Sequence, residues 1–177
     1  MKKKYLLIAL LFSVFAVNAQ NDNSGDGQQN EIKLNLISPL AGSFELDYER
    51  NLNRKSSLGI SVFKNYDDQE NDNVNSISIY YRRYFGEKYA SGFFVEGFGM
   101  LSSVNGKKIY DPNDNSKFTR GSDVIDFSPG LGFGNKWVTK SGFTFEANLG
   151  WGKLLFNANK TDHTAVARFG FHVGYRF

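Results

Sequence analysis

The C-terminal segment AVARFGFHVGYRF (residues 165–177) carries the clearest structural signal in the sequence. Its odd positions carry only apolar or aromatic side chains, whereas Arg168, His172 and Arg176 alternate with glycines at the even positions. Alternation with a period of two over this length predicts a β-strand with one apolar and one polar face. The ionisable side chains therefore share the face opposite the apolar set.

The same alternation recurs along the chain upstream of this strand. It predicts seven further strands, which begin near Ile32, Phe44, Leu58, Ile77, Gly92, Val124 and Phe143. The links between them alternate between short segments (51–55, 85–91, 136–141) and longer polar ones (65–75, 105–121, 156–163). Short turns at one end and long loops at the other are typical of outer-membrane barrels. The sequence thus predicts an all-β fold, an eight-stranded antiparallel up-and-down transmembrane β-barrel over residues 31–177.

A water-soluble β-sandwich or lipocalin-like barrel shows the same alternation, but its apolar face points inward. Two features besides the glycine-rich, charged polar face favour a lipid-facing apolar side. The chain ends on Phe177, and aromatic residues gather near the strand ends, as in the girdles that mark membrane interfaces. These aromatic residues are Tyr48, Tyr66, Tyr84, Trp137, Trp151 and Tyr175.

The N-terminus has the layout of a secretory signal peptide, with three lysines, a short apolar run and small residues before position 20. We expect residues 1–19 to be cleaved and residues 20–30 to form a flexible periplasmic leader. Without residues 1–19, acidic and basic residues are equal at 18 each, which argues against a nucleic-acid partner. An even number of strands places both termini in the periplasm.

The polar face of the predicted barrel carries many ionisable residues. Eight strands enclose a space that side chains just fill, which disfavours an open pore, and buried charges must be paired. We therefore predict an ion-pair network in the barrel interior, and Lys33 and Glu49 share the same face. The predicted members are Glu45, Asp47, Arg82, Glu96, Asp126, Glu146, Arg168, His172 and Arg176.

The sequence predicts no enzyme, cofactor or metal site. A lipid-modifying outer-membrane enzyme would need a serine activated by a histidine, but only His163 and His172 exist and no G-x-S-x-G motif occurs. Two function classes remain open. One is a structural or surface-interaction role through the external loops, and the other is a narrow conduit or binder for a small ligand or ion.

Two segments resemble a known family: residues 31–50, with NLISP and FELDYER, and residues 80–85, YYRRYF. They resemble a flavobacterial (Bacteroidetes-type) family of small outer-membrane barrels of unknown function. The terminal GYRF resembles the C-terminal signal read by the barrel-assembly machinery, which would make Tyr175 and Phe177 the assembly signal. The resemblance supports the fold and the location and implies no activity. From the lipid-facing strands and the external loops we expect contact with outer-membrane lipid and lipopolysaccharide.

Overall fold

The computed structural model of the chain describes residues 28–66, 75–111 and 114–177. The predicted signal peptide (1–19) and most of the predicted leader (20–30) lie outside the described residues. The first strand begins at Asn30, the last residue assigned to the leader.

Ten strands and one short 3₁₀ turn (Ser38–Ala41) make up the described fold. The strands are β1 (Asn30–Asn35), β2 (Ser43–Asn53), β3 (Ser56–Asn65), β4 (Asn75–Tyr84), β5 (Gly92–Val104), β6 (Lys108–Asp111), β7 (Asp114–Arg120), β8 (Val124–Val138), β9 (Phe143–Lys153) and β10 (Ala165–Arg176). Among the described residues, no helix has the length and apolar character needed to cross a membrane.

Eight of these strands close into a barrel in the order β1-β10-β9-β8-β5-β4-β3-β2. Every neighbouring pair is antiparallel. The barrel closes at the seam between β1 and β10, where Glu31 lies opposite Arg176, and on its other side Glu31 lies opposite Glu49 of β2. The predicted eight-stranded antiparallel up-and-down barrel is confirmed.

The segment 105–121, predicted as a long polar link between two barrel strands, has regular structure of its own. It contains the hairpin β6-β7, which forms a separate two-stranded sheet beside the barrel. Ile109 lies opposite Thr119, and Tyr110 lies opposite Phe118 with ring centroids 5.8 Å apart. The apolar positions of β6 and β7 are too few to show a period of two, so the cross-strand pairing was not visible in the sequence.

A lipid-facing barrel and a water-soluble barrel differ in whether the apolar side chains of each strand point outward or inward. On β10, Phe169 and Phe171 are 55% and 59% exposed, whereas Arg168 and His172 point inward and are buried. On β2, β4 and β5 buried and exposed positions alternate in the same way: most large apolar side chains are exposed and most polar ones are buried, although β4 and β5 also turn some aromatic side chains inward. A water-soluble barrel would show the opposite arrangement.

Three positions near strand ends differ from the sequence expectation. Tyr84, expected in an outward aromatic girdle, points into the barrel, because it continues the inward set of β4. Tyr175 is on the outward face but is mostly covered, since its ring packs edge-on against Phe143 at 5.6 Å. Lys136 was assigned to a turn, but β8 extends to Val138, so its side chain lies inside the barrel.

The barrel interior also contains an apolar part that the sequence analysis did not predict. A cluster of buried side chains lies along the long-loop half of β5 and comprises Tyr80, Phe98, Met100, Val104, Val124, Leu154 and Val166. Gly130 of β8 leaves room for it, because a Cβ at this position would overlap the ring of Phe98. Strand β8 therefore uses small inward residues where β5 uses large ones.

Candidate functional site in the barrel interior

Glu49 of β2 is the centre of the charged cluster in the barrel. Its carboxylate lies 2.5 Å from Lys33 Nζ, 2.7 Å from Arg82 Nη1 and 2.7 Å from Lys136 Nζ. The hydroxyl of Tyr84 donates a further hydrogen bond to it at 2.6 Å. Three cations from three other strands therefore converge on one fully buried carboxylate.

Arg82 of β4 joins this centre to two more carboxylates. Its Nη1 also lies 2.8 Å from Glu146, and its Nε donates to Glu96 at 2.8 Å. Arg82 Cζ, the central atom of the guanidinium, lies 4.3 Å from the ring centroids of both Tyr80 and Phe94. The planar, delocalised arginine cation suits this combination of ion pairs and aromatic contacts.

A second group of charges closes the short-turn end of the barrel. Glu31 of β1 lies 2.9 Å from Lys136 Nζ and 2.7 Å from Arg176 Nη2. Arg176 also donates hydrogen bonds to the backbone carbonyls of Tyr89 and Ala90, in the turn between β4 and β5. These contacts fasten that turn to the last residue of β10.

A third group lies toward the long-loop end and is less tightly paired. Arg168 Nη1 lies 3.3 Å from Glu96, and its Nη2 lies 3.9 Å from Glu45 and 4.0 Å from Asp47. His172 Nε2 lies 3.2 Å from Asp47 Oδ2 and 3.8 Å from Glu45 Oε2. Here several charged atoms are close without forming hydrogen bonds.

The structure brings together eight of the nine side chains expected in the network, and Asp126 is the exception. Asp126 is buried, but its carboxylate accepts hydrogen bonds from the backbone N–H groups of Leu155, Phe156 and Asn157. It lies near the start of β8, where the strand leaves the charged cluster. Assigning it to the ion-pair network was therefore incorrect, and its contacts instead order the β9-β10 loop.

Sequence analysis missed Glu31, Lys136 and Tyr84 as members of the cluster. The missed signal is the alternation itself. Glu31 and Lys136 each continue the inward set of their strand by one step beyond the expected strand end, and Tyr84 follows the inward-facing Arg82 by two residues. Glu31 precedes Lys33 by two residues, and Lys136 follows the inward-facing Gly134 by two.

The cluster is suited to bracing the barrel. Glu31, Glu49, Glu96 and Glu146 each contact at least two cations, so no single ion pair can separate without disturbing a neighbour. Buried networks in which members are satisfied in this way make a structure rigid. Above the cluster, at the long-loop end, lies a cavity of about 310 Å³, with Glu45 and Arg168 among its lining residues.

An apolar exterior around a barrel filled with ion pairs and aromatic side chains defines the class of small outer-membrane-type β-barrels. The chain belongs to the family described as "Protein of unknown function (DUF3575)", whose model matches residues 6–173.

Among solved structures, the N-terminal β-barrel domain of Pseudomonas aeruginosa OprF is similar in fold. It is 18% identical with a TM-score of 0.52, over 88% of this chain and 100% of that one. Yersinia pestis Ail is 17% identical with a TM-score of 0.44, over 85% of this chain and 99% of Ail. Neisserial surface protein A (NspA) is 13% identical with a TM-score of 0.46, over 84% of this chain and 95% of NspA. No curated protein sequence matches the chain significantly.

Proposed function

We propose that the chain is an integral outer-membrane protein of a Gram-negative bacterium, with a side-chain-filled lumen and a structural or surface-interaction role. In this proposal residues 1–19 are a cleaved signal peptide, both termini are periplasmic, and the long loops face the cell exterior. The chain catalyses no reaction in this role.

The observation that carries the proposal is the reversed burial of the barrel. Its outer surface presents large apolar side chains from every barrel strand, while lysine, arginine and glutamate side chains are buried inside. Such a surface would be strongly unfavourable in water, since large exposed apolar surfaces of soluble proteins cause association. Hydrocarbon removes this penalty and leaves the backbone polar groups satisfied by the closed sheet.

The filled lumen favours a bracing role over conduction. Glu49, Arg82 and their partners are buried in the barrel interior, where the aromatic side chains of Phe94 and Phe98 are also buried. In a planar lipid bilayer, the refolded protein should therefore give no steady ionic current. Reproducible single-channel steps at neutral pH would instead support the conduit.

The C-terminal residues support recognition by the barrel-assembly machinery. The backbone of Phe177 forms two hydrogen bonds with Asn30, at 2.8 and 3.0 Å, so the last residue of the chain helps to close the seam between β1 and β10. Its side chain is 44% exposed at the barrel exterior. Phe177 thus lies where an assembly factor can contact the last strand before the seam closes, whereas Tyr175, the other residue of the proposed signal, packs against Phe143 of β9.

The hairpin β6-β7 supports a surface-interaction role. Ile109, Tyr110 and Phe118 are exposed on it, and the cationic groups of Lys108 and Arg120 lie 5.2 and 5.8 Å from the Phe118 ring. A surface that combines aromatic and cationic groups suits contact with the phosphates and sugars of lipopolysaccharide.

Cell fractionation combined with gel mobility tests the proposal. We expect the chain in the outer-membrane fraction, and we expect unheated samples in detergent to migrate differently from boiled ones, because the closed barrel resists unfolding by detergent. A chain recovered in the periplasm with identical mobility before and after boiling would contradict the membrane assignment.

A further inference from the structure

Three side chains in the long-loop half of the lumen form a set of metal-binding donors. One donor atom from each of Glu45, Asp47 and His172 lies within 4.8 Å of the other two. Glu45 and Asp47 are two positions apart on β2 and therefore share its inward face, and His172 of β10 is brought close across the short strand β1. Two carboxylates and an imidazole are ligands that zinc and similar divalent metals accept.

The second observation is that polar atoms in this set have no hydrogen-bond partner. Within the described part of the chain, both oxygens of Asp47 and both ring nitrogens of His172 lack one, although the two residues are only 0% and 2% exposed. His172 Nε2 and Asp47 Oδ2 are 3.2 Å apart without forming a hydrogen bond. Buried polar atoms in native proteins are nearly always paired, so unpaired atoms that face each other need an explanation.

The spacing of these atoms matches metal coordination. Bonds of about 2.0–2.1 Å in a tetrahedral zinc site place neighbouring ligand atoms roughly 3.3 Å apart. The observed separations from His172 Nε2 are 3.2 Å to Asp47 Oδ2 and 3.8 Å to Glu45 Oε2. Glu45 Oε2 would have to move about half an ångström toward His172 to reach this spacing. The ligand atoms of Glu45 and Asp47 lie within 4.8 Å of each other.

The charge balance of the lumen also favours a cation. Among the described residues, the carboxylates of the cluster outnumber its lysines and arginines by one. The carboxylates are Glu31, Glu45, Asp47, Glu49, Glu96 and Glu146, and the cations are Lys33, Arg82, Lys136, Arg168 and Arg176. With a neutral His172 one negative charge stays uncompensated, and the loosest pairing is found at Glu45 and Asp47. A bound divalent cation would change the net charge of the cluster from −1 to +1, so it removes this deficit and leaves an excess of the same size.

We propose that Glu45, Asp47 and His172 bind one divalent transition metal of the zinc type. The cavity of about 310 Å³ reaches Glu45 and would give the metal access from the long-loop end, together with room for a water or a small ligand at the remaining coordination position. Asn35 and Ser61 donate hydrogen bonds to the two oxygens of Glu45, at 2.7 and 2.9 Å, and hold it in place. The inference goes beyond the proposed structural role and does not depend on where the chain resides.

Zinc titration of the untagged, detergent-refolded barrel tests this site. We expect one Zn²⁺ per chain, measured by competition with a chromophoric chelator. His172→Gln and Asp47→Asn should each lower the affinity at least about 100-fold, because removal of a ligand should exceed the 10–100-fold effect of losing a ligand's supporting contact. His163→Gln removes the other histidine of the chain and should leave the affinity unchanged.

The mobility of unheated samples shows whether each variant is folded. If a variant does not fold, X-ray absorption at the zinc edge of the wild-type protein tests the assignment, and we expect one imidazole together with oxygen ligands. The proposal is overturned if the folded wild type binds no zinc, if His163→Gln lowers the affinity as much as His172→Gln, or if the bound zinc has no imidazole ligand.

Discussion

Replacement of Glu49 by glutamine probes the charged cluster at its centre. The change keeps the shape of the side chain but removes the charge that faces Lys33, Arg82 and Lys136. It also replaces one carboxylate oxygen by an amide N–H₂ group. If this group replaces Oε2, which accepts from Lys33 and Arg82, hydrogen-bond donors would face donors. The loss should therefore exceed that of a simple neutral hydrogen bond.

The structure sets the expected magnitude. Removal of one partner from a buried ion pair costs about 3–5 kcal/mol. The cations facing Glu49 each keep another carboxylate, since Lys33 and Arg82 retain Glu146 and Lys136 retains Glu31. We expect the lower end of this range, a decrease of about 3 kcal/mol in the free energy of unfolding.

Urea unfolding of the barrel in lipid vesicles, followed by tryptophan fluorescence, measures this change. Glu87→Gln is the matched control, because Glu87 lies exposed in the turn between β4 and β5 and exposed substitutions usually change stability by less than about 0.5 kcal/mol. Equal urea midpoints for Glu49→Gln and Glu87→Gln would refute the view that the cluster braces the barrel.

Three further comparisons test the burial of Arg168, the assembly signal and the packing of the barrel interior. Arg168→Ala should destabilise the barrel by about 3–5 kcal/mol and the hairpin variant Arg120→Ala by less than about 0.5 kcal/mol, and similar urea midpoints would contradict the burial of Arg168 in the network. Deletion of Phe177 should lower the amount of folded barrel in isolated outer membranes while export continues, and a normal yield would count against an assembly signal. Gly130→Ala should destabilise the barrel by about 1–3 kcal/mol, because the new Cβ would overlap the ring of Phe98. Gly97→Ala should be tolerated, because its Cβ would approach other atoms no closer than 4.0 Å. Equal thermal stability of the two variants would argue against the packing described.

The strand faces could be predicted from sequence because the period of two is a local property. Arg168, His172 and Arg176 alternate with outward-facing side chains along β10, and their burial follows once the barrel closes. The ends of strands are different, because they depend on pairing with a neighbour. Strand β8 runs to Val138 because it pairs with β9 as far as Thr144, and this pairing brings Lys136 inside.

The members of the charged cluster and their contacts could be predicted only in part. Alternation along a strand tells whether a side chain points into the barrel, but not which side chain it contacts there. Asp126 points inward, but its position along the barrel gives it backbone N–H partners instead of cations. The convergence of Lys33 and Arg82 on Glu49 depends on the stagger of distant strands around the barrel, which a single sequence does not encode locally.

Contact between the outward face and hydrocarbon is the central claim, and quenching of tryptophan fluorescence by brominated lipid tests it directly. In a background with Trp137→Phe and Trp151→Phe, a single tryptophan is introduced either by Phe171→Trp on the outward face or by Phe98→Trp in the interior. We expect strong quenching for Phe171→Trp and little for Phe98→Trp in folded barrels in vesicles. Quenching at position 98 with none at position 171 would mean that the apolar face does not contact lipid.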